Sequence, residues 1–220
     1  MNKKYYEAYN ERYKTIHKRG VSWSSDQPTP IVLEKIHQYS IDKNDSILEI
    51  GCGEGRDAKA ILDEGYKLLA SDISSEAIKY CEKMMPSHAD NFICFDCLKD
   101  EIDNKYKFIF SIAVIHMLVL DEDRNKFFNF IKSHLMKNGI ALICSMGDGV
   151  NEMSTDASKA FEIVERHHES GDISVVSTSC RMVSFEKFEN EIEQANLTII
   201  EKGITSSLPD FNNLMYVLVK

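Results

Sequence analysis

The sequence of 220 residues predicts an α/β protein with a mostly parallel sheet. Short apolar runs alternate with helical segments of about 10–15 residues between positions 46 and 146, which is typical of βαβ crossovers. The run at 107–115 is apolar in its middle, as in a strand covered on both faces. Near the C-terminus, two strand-like runs are joined by a link too short for a helical crossover. We therefore expect the last two strands to pair antiparallel.

Each predicted element has a local signal. Thr29 and Pro30 are suited to the N-cap and the first position of a helix, and Gly139 is suited to end one. The predicted helices cover 3–19, 30–39, 56–64, 74–85, 121–137, 156–169 and 184–196. The predicted strands cover 46–50, 66–71, 91–95, 107–115, 140–146, 197–204 and 213–220, and ISVVST at 173–178 is a further strand-like run. The pair His167-His168 is expected on a solvated helix face.

Composition excludes several classes of protein. The formal net charge is -9, and an acidic surface repels phosphate backbones, so no nucleic-acid partner is expected. No apolar run approaches the roughly 20 residues that span a bilayer, so no membrane partner is expected either. The N-terminal stretch is charged and tyrosine-rich, unlike a secretory signal. We expect a cytoplasmic protein; monomer and weak dimer both remain open.

The six cysteines are scattered and are interpreted as reduced thiols. Cys94 and Cys97 form a C-x-x-C pair, but no second pair or histidine at ligand spacing lies near it, so no metal site is expected. The pair also ends a strand-like run, whereas a thioredoxin-type motif would open a helix. We interpret it as two packed thiols that flank Asp96.

The strongest functional signal is a glycine-rich turn between a strand and a helix. Gly51, Gly53 and Gly55 follow the first strand, and glycines let the backbone approach a ligand closely. Asp72 ends the second strand, where an acidic side chain can accept hydrogen bonds from ribose hydroxyls. Asp96 follows the third strand and can accept from an exocyclic amine. These positions share one crevice of a parallel sheet.

The glycine spacing distinguishes between two nucleotide cofactors. NAD is typical of Gly-x-Gly-x-x-Gly, whereas the third glycine here follows the second by two positions. Glu49 precedes Gly51 by two residues, and a carboxylate there repels a pyrophosphate but attracts an ammonium group. S-adenosylmethionine carries an ammonium and a sulfonium and no phosphate. The pattern favours S-adenosylmethionine, with a nicotinamide oxidoreductase as the alternative.

These motifs together resemble those of class I S-adenosylmethionine-dependent methyltransferases. The matching segments are ILEIGCGEGRDA, ASDISSEAI, FDCL, FIFSIAVIHML and HLMKNGIALICSM, in the family's order. The resemblance implies a Rossmann-like, seven-stranded, mostly parallel sheet with an antiparallel final strand and helices on both faces. Within the class, the chain is most similar to small-molecule methyltransferases of the tellurite-resistance and thiopurine or thiol type.

The resemblance also implies roles for individual residues. Glu49 and the glycine turn shape the pocket for the methionine moiety, and Asp72 holds the ribose hydroxyls. Ile73 packs on the adenine and Asp96 accepts from its amine. The positions implied to contact the cofactor are Glu49, Gly51, Cys52, Gly53, Asp72, Ile73, Asp96, Cys97, Ser111 and Ile112. We expect one domain with four parts: a helical lid (1–39), a cofactor-binding core (40–146), a substrate-side insertion (147–183), and a final helix with antiparallel strands (184–220).

The motifs that the chain lacks narrow the range of possible methyl acceptors. Residues 111–114 read SIAV where amino-methylating enzymes of the adenine and glutamine kind carry Asn/Asp-Pro-Pro-aromatic. The chain has no Pro-Cys pair, as cytosine C5 enzymes require, and Ser111 replaces the acidic ligand of metal-dependent enzymes. We expect a small-molecule acceptor and no metal. A protein or RNA methyltransferase and a non-catalytic cofactor-binding protein are the alternatives.

The reaction is expected to be an in-line displacement, in which the protein positions the nucleophile and excludes water. A soft nucleophile needs no base, whereas a hydroxyl or ammonium does. His116 follows the fourth strand and is the candidate base; a packed histidine is the alternative. Trp23, with Tyr9 and Tyr13, belongs to the lid. An aromatic ring there either faces the sulfonium or packs the lid onto the core.

Overall fold

The computed structural model describes residues 3–168 and 170–220, and a seven-stranded sheet forms its centre. The strands of this sheet are β1 (Ile47–Ile50), β2 (Leu68–Asp72), β3 (Phe92–Cys94), β4 (Tyr106–Ile112), β5 (Leu135–Met146), β10 (Ile199–Ser207) and β11 (Phe211–Val219). Their order is β10-β11-β5-β4-β1-β2-β3. β1 to β5 pair in parallel, and β11 is antiparallel to both β5 and β10. This confirms the predicted architecture.

The helices cover both faces of the sheet. They are α1 (Ala8–His17), α2 (Pro30–Gln38), α3 (Arg56–Asp63), α4 (Ser75–Met84), α5 (Asp121–His134) and α6 (Phe185–Gln194). Alternate residues of β4 belong to opposite cores: Phe108 packs with α2, α3 and α4, whereas Ile109 packs with α5 and α6. This is the two-sided burial that an apolar parallel strand requires. No helix among the described residues is long and apolar enough to cross a membrane.

Helix α5 ends three residues earlier than the sequence indicates. The prediction extended it to 137 and assigned its end to Gly139, but the chain enters β5 at Leu135. Leu135 is buried and pairs with Tyr106 of β4. Gly139 lies inside the strand, where a Cβ atom would stand 2.9 Å from the carbonyl oxygen of Tyr106. The glycine therefore serves a close approach of two strands.

The predicted helix at 156–169 is wrong over its described residues. A 3-10 turn (Ala157–Lys159) precedes a hairpin of β7 (Ile163–His168) and β8 (Gly171–Val176), and β6 (Met153–Ser154) pairs with β9 (Arg181–Met182). Residue 169 itself lies outside the described residues. Ile173 and Val175 of β8 bury their side chains against Ile16 of α1. This tertiary contact favours strands in a segment whose sequence is ambiguous.

Candidate functional site

The main cavity lies at the carboxyl ends of β1, β2 and β4, the edge where open α/β sheets bind ligands. Its volume is about 150 Å³. Strand order reverses at β1, so the connections diverge there and leave a crevice. Twelve of the predicted site residues line this cavity: Tyr9, Tyr13, Trp23, Glu49, Gly51, Cys52, Gly53, Asp72, Ile73, Asp96, Cys97 and Ile112. Ser111 and His116 do not.

The amides of the glycine turn are already engaged within the protein. Gly51 and Cys52 donate to the carbonyl oxygen of Ser71, at 2.7 and 2.9 Å. Gly53 donates to Oδ2 of Asp72 at 2.8 Å. Gly53 has φ +53°, and a Cβ atom there would stand 2.8 Å from the hydroxyl of Tyr13. A pyrophosphate needs free amides at such a turn, so this geometry disfavours the nicotinamide alternative.

Asp72 is buried at the end of β2 and orders two loops at once. Oδ2 accepts from Gly53 of the glycine turn, and Oδ1 accepts from the N–H of Ser74, at 2.8 Å. Burial raises the pKa of this carboxyl, and the two backbone hydrogen bonds oppose the rise. Each oxygen keeps a further lone pair for a hydroxyl donor. A vicinal diol can therefore bind without displacing either amide.

Glu49 differs because its carboxylate is buried without a donor. Its side chain sits in β1, the residue is 2% exposed, and Oε2 has no hydrogen-bond partner among the described residues. Burial, followed by the negative charge of Asp57, raises the pKa of Glu49 well above its usual value. A polar atom left in this state destabilises the fold. A cationic ligand group in the cavity would supply the missing partner.

Asp96 is held at the far end of the cavity, after β3. Oδ1 accepts from the N–H of Leu98 at 2.9 Å, and Oδ2 accepts from the hydroxyl of Tyr6 at 3.3 Å. Lys99 pairs with Oδ2 at 2.9 Å. The neighbouring Cys97 thiol has a pKa raised by burial. These contacts hold Asp96 in a part of the chain where Phe95 and Leu98 also line the cavity.

Ser111 and His116 lie behind the cavity wall. The buried Ser111 hydroxyl donates to the carbonyl oxygen of Ile50 at 3.0 Å and so ties β4 to β1. His116 is buried in the 3-10 turn Ile115–Met117 with its ring edge toward Phe211, and its Nδ1 has no partner among the described residues. Burial and the charge of Arg124 lower the pKa of His116 to about 4. The imidazole is therefore neutral at pH 7.

The loop after β4 contributes cavity residues that the sequence analysis did not include. Val114, Met117 and Leu118 line the cavity. Arg124 of α5 holds this loop, because its guanidinium donates to the carbonyl oxygens of Ile115 and Leu118, at 2.8 and 3.3 Å. The same guanidinium binds the carboxylate of Glu191 in α6. The sequence gives no local signal for a contact between residues so far apart.

The lid is fastened to the glycine turn by Glu54, which the sequence analysis also missed. Its carboxylate accepts from the backbone N–H groups of Trp23 and Ser24 and lies 2.8 Å from Nε2 of His17. Asn10 of α1 adds a contact to the β2–α4 loop, accepting from the Ser74 hydroxyl at 2.9 Å. The lid therefore contacts the loops that carry both Gly53 and Asp72.

The cation that faces Trp23 is a residue of the protein itself. The guanidinium of Arg12 lies 4.6 Å from the centre of the Trp23 ring and 4.9 Å from that of Tyr9. Arg12 also donates to the carbonyl oxygen of Val176, in the β7–β8 hairpin. His168, predicted on a helix face, instead stacks on Trp23 from a strand. No described residue of 147–183 lines the cavity; the hairpin packs on the lid.

Known proteins resemble the part of the chain that forms most of this cavity. Residues 48–141, which span β1 to β5, match the family model described as a methyltransferase domain. No curated protein matches the chain. The matched residues include the glycine turn, Asp72 and Asp96 of the cavity, so this part of the chain resembles a methyltransferase domain.

Solved methyltransferase structures share the fold of this chain at low sequence identity. An S-adenosylmethionine-dependent methyltransferase from Clostridium acetobutylicum ATCC 824 is 18% identical, with a TM-score of 0.68 and 98% of both chains covered. A 1,6-didemethyltoxoflavin-N1-methyltransferase from Burkholderia thailandensis, solved with 1,6-didemethyltoxoflavin and S-adenosylhomocysteine, is 12% identical, with a TM-score of 0.72 over 100% of this chain and 90% of that one. A glycopeptide N-methyltransferase complexed with S-adenosylmethionine is 12% identical, with a TM-score of 0.63 over 88% and 94%.

Proposed function

We propose that the protein is an S-adenosylmethionine-dependent methyltransferase that transfers a methyl group to a small molecule held in the lid-covered cavity. The observation that carries the proposal is the buried Glu49 side chain. Its Oε2 has no hydrogen-bond partner among the described residues, and Glu49 lines the same cavity as Asp72 and Asp96. Five carboxylates and one cation, Arg56, are found among the described residues that line the cavity. Such a site suits a cationic ligand that carries no phosphate.

In this proposal the cofactor is held along the carboxyl ends of three strands. Glu49 meets the α-ammonium, Asp72 accepts from the ribose hydroxyls, and Asp96 accepts from the adenine amine beside Cys97. Ile73 packs on the adenine, and Ile112 lies near the reacting centre. S-adenosylmethionine supplies an electrophilic methyl group when bound. Ser111 acts indirectly, because its hydroxyl holds β4 against the carbonyl oxygen of Ile50.

The acceptor is proposed to lie where the cavity wall is uncharged. Val114, Met117 and Phe211 line that wall, and Trp23, Tyr9 and Tyr13 close it from the lid. An enclosed apolar wall excludes water and orients a nucleophile for in-line attack. Soft nucleophiles such as thiols need no base, and the resemblance to thiopurine and tellurite-resistance enzymes places them first in a screen.

His116 is proposed as the base for acceptors that carry a hydroxyl or ammonium proton. Its imidazole is neutral and its Nδ1 has no partner among the described residues, but a pKa of about 4 makes it a weak base, so the role requires that a bound acceptor raise this pKa. It lies behind Phe211 and outside the cavity lining, so a proton reaches it only if the acceptor extends past that ring. Methyl transfer to thiol acceptors would not depend on His116, whereas transfer to hydroxyl or ammonium acceptors would. Substitution of His116 therefore distinguishes the two kinds of acceptor.

A larger acceptor is the second candidate, because a glycopeptide N-methyltransferase shares this fold. A flexible peptide would require an opening beside the lid segment around Trp23, which Glu54 holds in place. The net charge of -9 disfavours RNA as an acceptor. We also propose that the protein acts in the cytoplasm.

Calorimetric titration with S-adenosylhomocysteine, with NADH run in parallel, tests the cofactor. Micromolar binding of the first and none of the second is expected. A mass-spectrometric screen with S-adenosylmethionine, thiols first and then phenols, amines and glycopeptides, tests the acceptor. Failure of the folded protein to bind S-adenosylhomocysteine contradicts the proposal. Binding without transfer to any acceptor indicates a non-catalytic cofactor-binding protein, and transfer to glycopeptides alone indicates the second candidate.

A further inference from the structure

Two carboxylates with different partners border the floor of the cavity. Glu49 in β1 is 2% exposed and Asp57 in α3 is 3% exposed, and both line the cavity. Asp57 is the charged group that acts most strongly on Glu49. Two buried carboxylates that border one cavity, of which Glu49 has an Oε2 without a hydrogen-bond partner among the described residues, ionise together only at a high free-energy cost. One of them is therefore expected to carry a proton when the cavity holds no cation.

The hydrogen bonds identify Asp57 as the ionised member. Its carboxylate accepts from both the backbone N–H and the hydroxyl of Thr29, the latter at 3.0 Å. Nε of Arg56 stands 3.8 Å from its Oδ2. Three donors or charges that favour the ionised form converge on this one carboxylate. They oppose the effect of burial, which by itself favours the protonated form of Asp57.

Among the described residues, no hydrogen-bond donor favours the ionised form of Glu49 as those of Thr29 favour that of Asp57. Besides Asp57, the groups that act on it are Asp72 of β2, the thiol of Cys81 in α4, and Arg56 of α3. Arg56 is the cation of this set, and its guanidinium is paired with Asp210 as well as facing Asp57. Burial and the surrounding negative charges favour the neutral carboxylic acid at this position.

Building on the proposed function, we infer that Glu49 is protonated in the ligand-free site and loses its proton when the α-ammonium of the cofactor binds. The ammonium keeps its three protons, the carboxylic O–H bond of Glu49 breaks, and one proton passes to the buffer. The new ion pair then satisfies the oxygen that otherwise lacks a donor.

This inference predicts a difference between two ligands that share the adenosine end. S-adenosylhomocysteine has the α-ammonium, whereas 5′-methylthioadenosine lacks the amino-acid tail. Binding of the first releases protons, at most one per ligand, and its affinity rises with pH by at most about tenfold per pH unit below the pKa of the free Glu49. Binding of the second releases none and does not depend on pH through Glu49.

Calorimetry at pH 7.0 in PIPES and in imidazole buffer measures the proton count, because the two buffers differ in ionisation enthalpy. The proteins are the wild type, Glu49→Gln, Asp57→Asn, and the control Asp63→Asn, which alters an exposed carboxylate on the same helix. Glu49→Gln should still bind S-adenosylhomocysteine, more weakly, with no proton released. Asp57→Asn should release less than the wild type, since Glu49 ionises more readily without its neighbour's charge. The control should match the wild type.

The possible outcomes separate this inference from the proposed function. Binding of S-adenosylhomocysteine by the wild type without proton release, or equal release with 5′-methylthioadenosine, overturns the inference alone. Release that persists in Glu49→Gln also overturns it. If Glu49→Gln does not fold, the wild-type comparison of the two ligands and Asp57→Asn decide the matter. Absence of any S-adenosylhomocysteine binding to the folded wild type contradicts the proposed function itself.

Discussion

Both carboxylate oxygens of Glu54 lie within hydrogen-bond distance of the backbone N–H of Trp23, at 2.8 and 2.9 Å. Glu54 belongs to the glycine turn, and Trp23 follows the lid helix α1. The N–H of Ser24 reaches the same carboxylate. A charged acceptor shared by two backbone donors forms a stronger contact than a neutral one. The position of the lid is therefore coupled to the turn that carries Gly53.

Replacing Glu54 with glutamine should loosen the lid. The carboxamide keeps one acceptor oxygen but turns an NH₂ group toward backbone donors, and it loses its charge. We expect faster hydrogen exchange at the amides of Trp23 and Ser24, and S-adenosylhomocysteine dissociation faster by about tenfold, the effect of one charge-assisted hydrogen bond. Glu122→Gln, at an exposed position of α5, is the control. Unchanged exchange in the lid would show that Glu54 does not hold it.

Asp72→Asn should weaken cofactor binding. We expect a loss of ~1.5–3 kcal/mol in the affinity for S-adenosylhomocysteine, because charge-assisted hydrogen bonds to the ribose are lost. Asparagine keeps the size of the side chain, and its amide group faces the N–H of Gly53 or of Ser74, so part of the loss reports a disturbed turn. Titration calorimetry measures the affinity, with Asp63→Asn as control. A folded variant with wild-type affinity would remove Asp72 from the site.

Gly51 is predicted to tolerate no side chain. Its φ is +78°, and a Cβ atom would stand 2.2 Å from Cγ2 of Val114. Gly51→Ala should lower the free energy of unfolding by ~2–5 kcal/mol, from overpacking and from a left-handed backbone. Adding Val114→Ala to this variant should restore the free energy of unfolding lost through overpacking, but not the part lost through the left-handed backbone. Denaturant unfolding measures both variants; strictly additive losses would show that the two residues do not interact.

His116 should make the protein sensitive to acid. Its pKa is about 4 in the folded state against an ordinary value of 6.5, so the unfolded state binds more protons between these values. The free energy of unfolding therefore falls as the pH drops through this window, by ~2 kcal/mol between pH 7 and 5 from this group. Urea unfolding at both pH values should show a smaller fall for His116→Gln. An equal fall would contradict burial of a neutral imidazole.

Much of the fold and part of the site follow from short-range patterns. The strand, glycine turn and helix around Gly51 are specified by a dozen consecutive residues, and Asp72 ends the next strand. Because parallel strands bring their carboxyl ends to one edge, the crevice follows from the strand pattern alone. The family motif recognised in residues 48–141 covers the same part of the chain.

The sequence analysis was wrong where a segment depends on distant partners. Strand β7 was predicted as part of a helix, because its polar residues carry no clear period, whereas β8 overlaps the strand-like run predicted at 173–178. The hairpin of these two strands is stabilised by Ile16 of the lid, more than 140 positions earlier in the chain. Likewise, the Trp23 ring was considered for a ligand cation, but Arg12 lies over it.

Local sequence was therefore enough for the alternation of strands and helices, the glycine turn and the acidic strand ends, because each depends on residues within about one turn or strand of one another. The hydrogen bonds of Glu54 to the lid, the Arg124–Glu191 pair and the isolation of Glu49 beside Asp57 arise only when distant segments pack together. Burial and charge at these positions are properties of the assembled interior. No local pattern encodes them, since the free energy of each group depends on which neighbours exclude water from it.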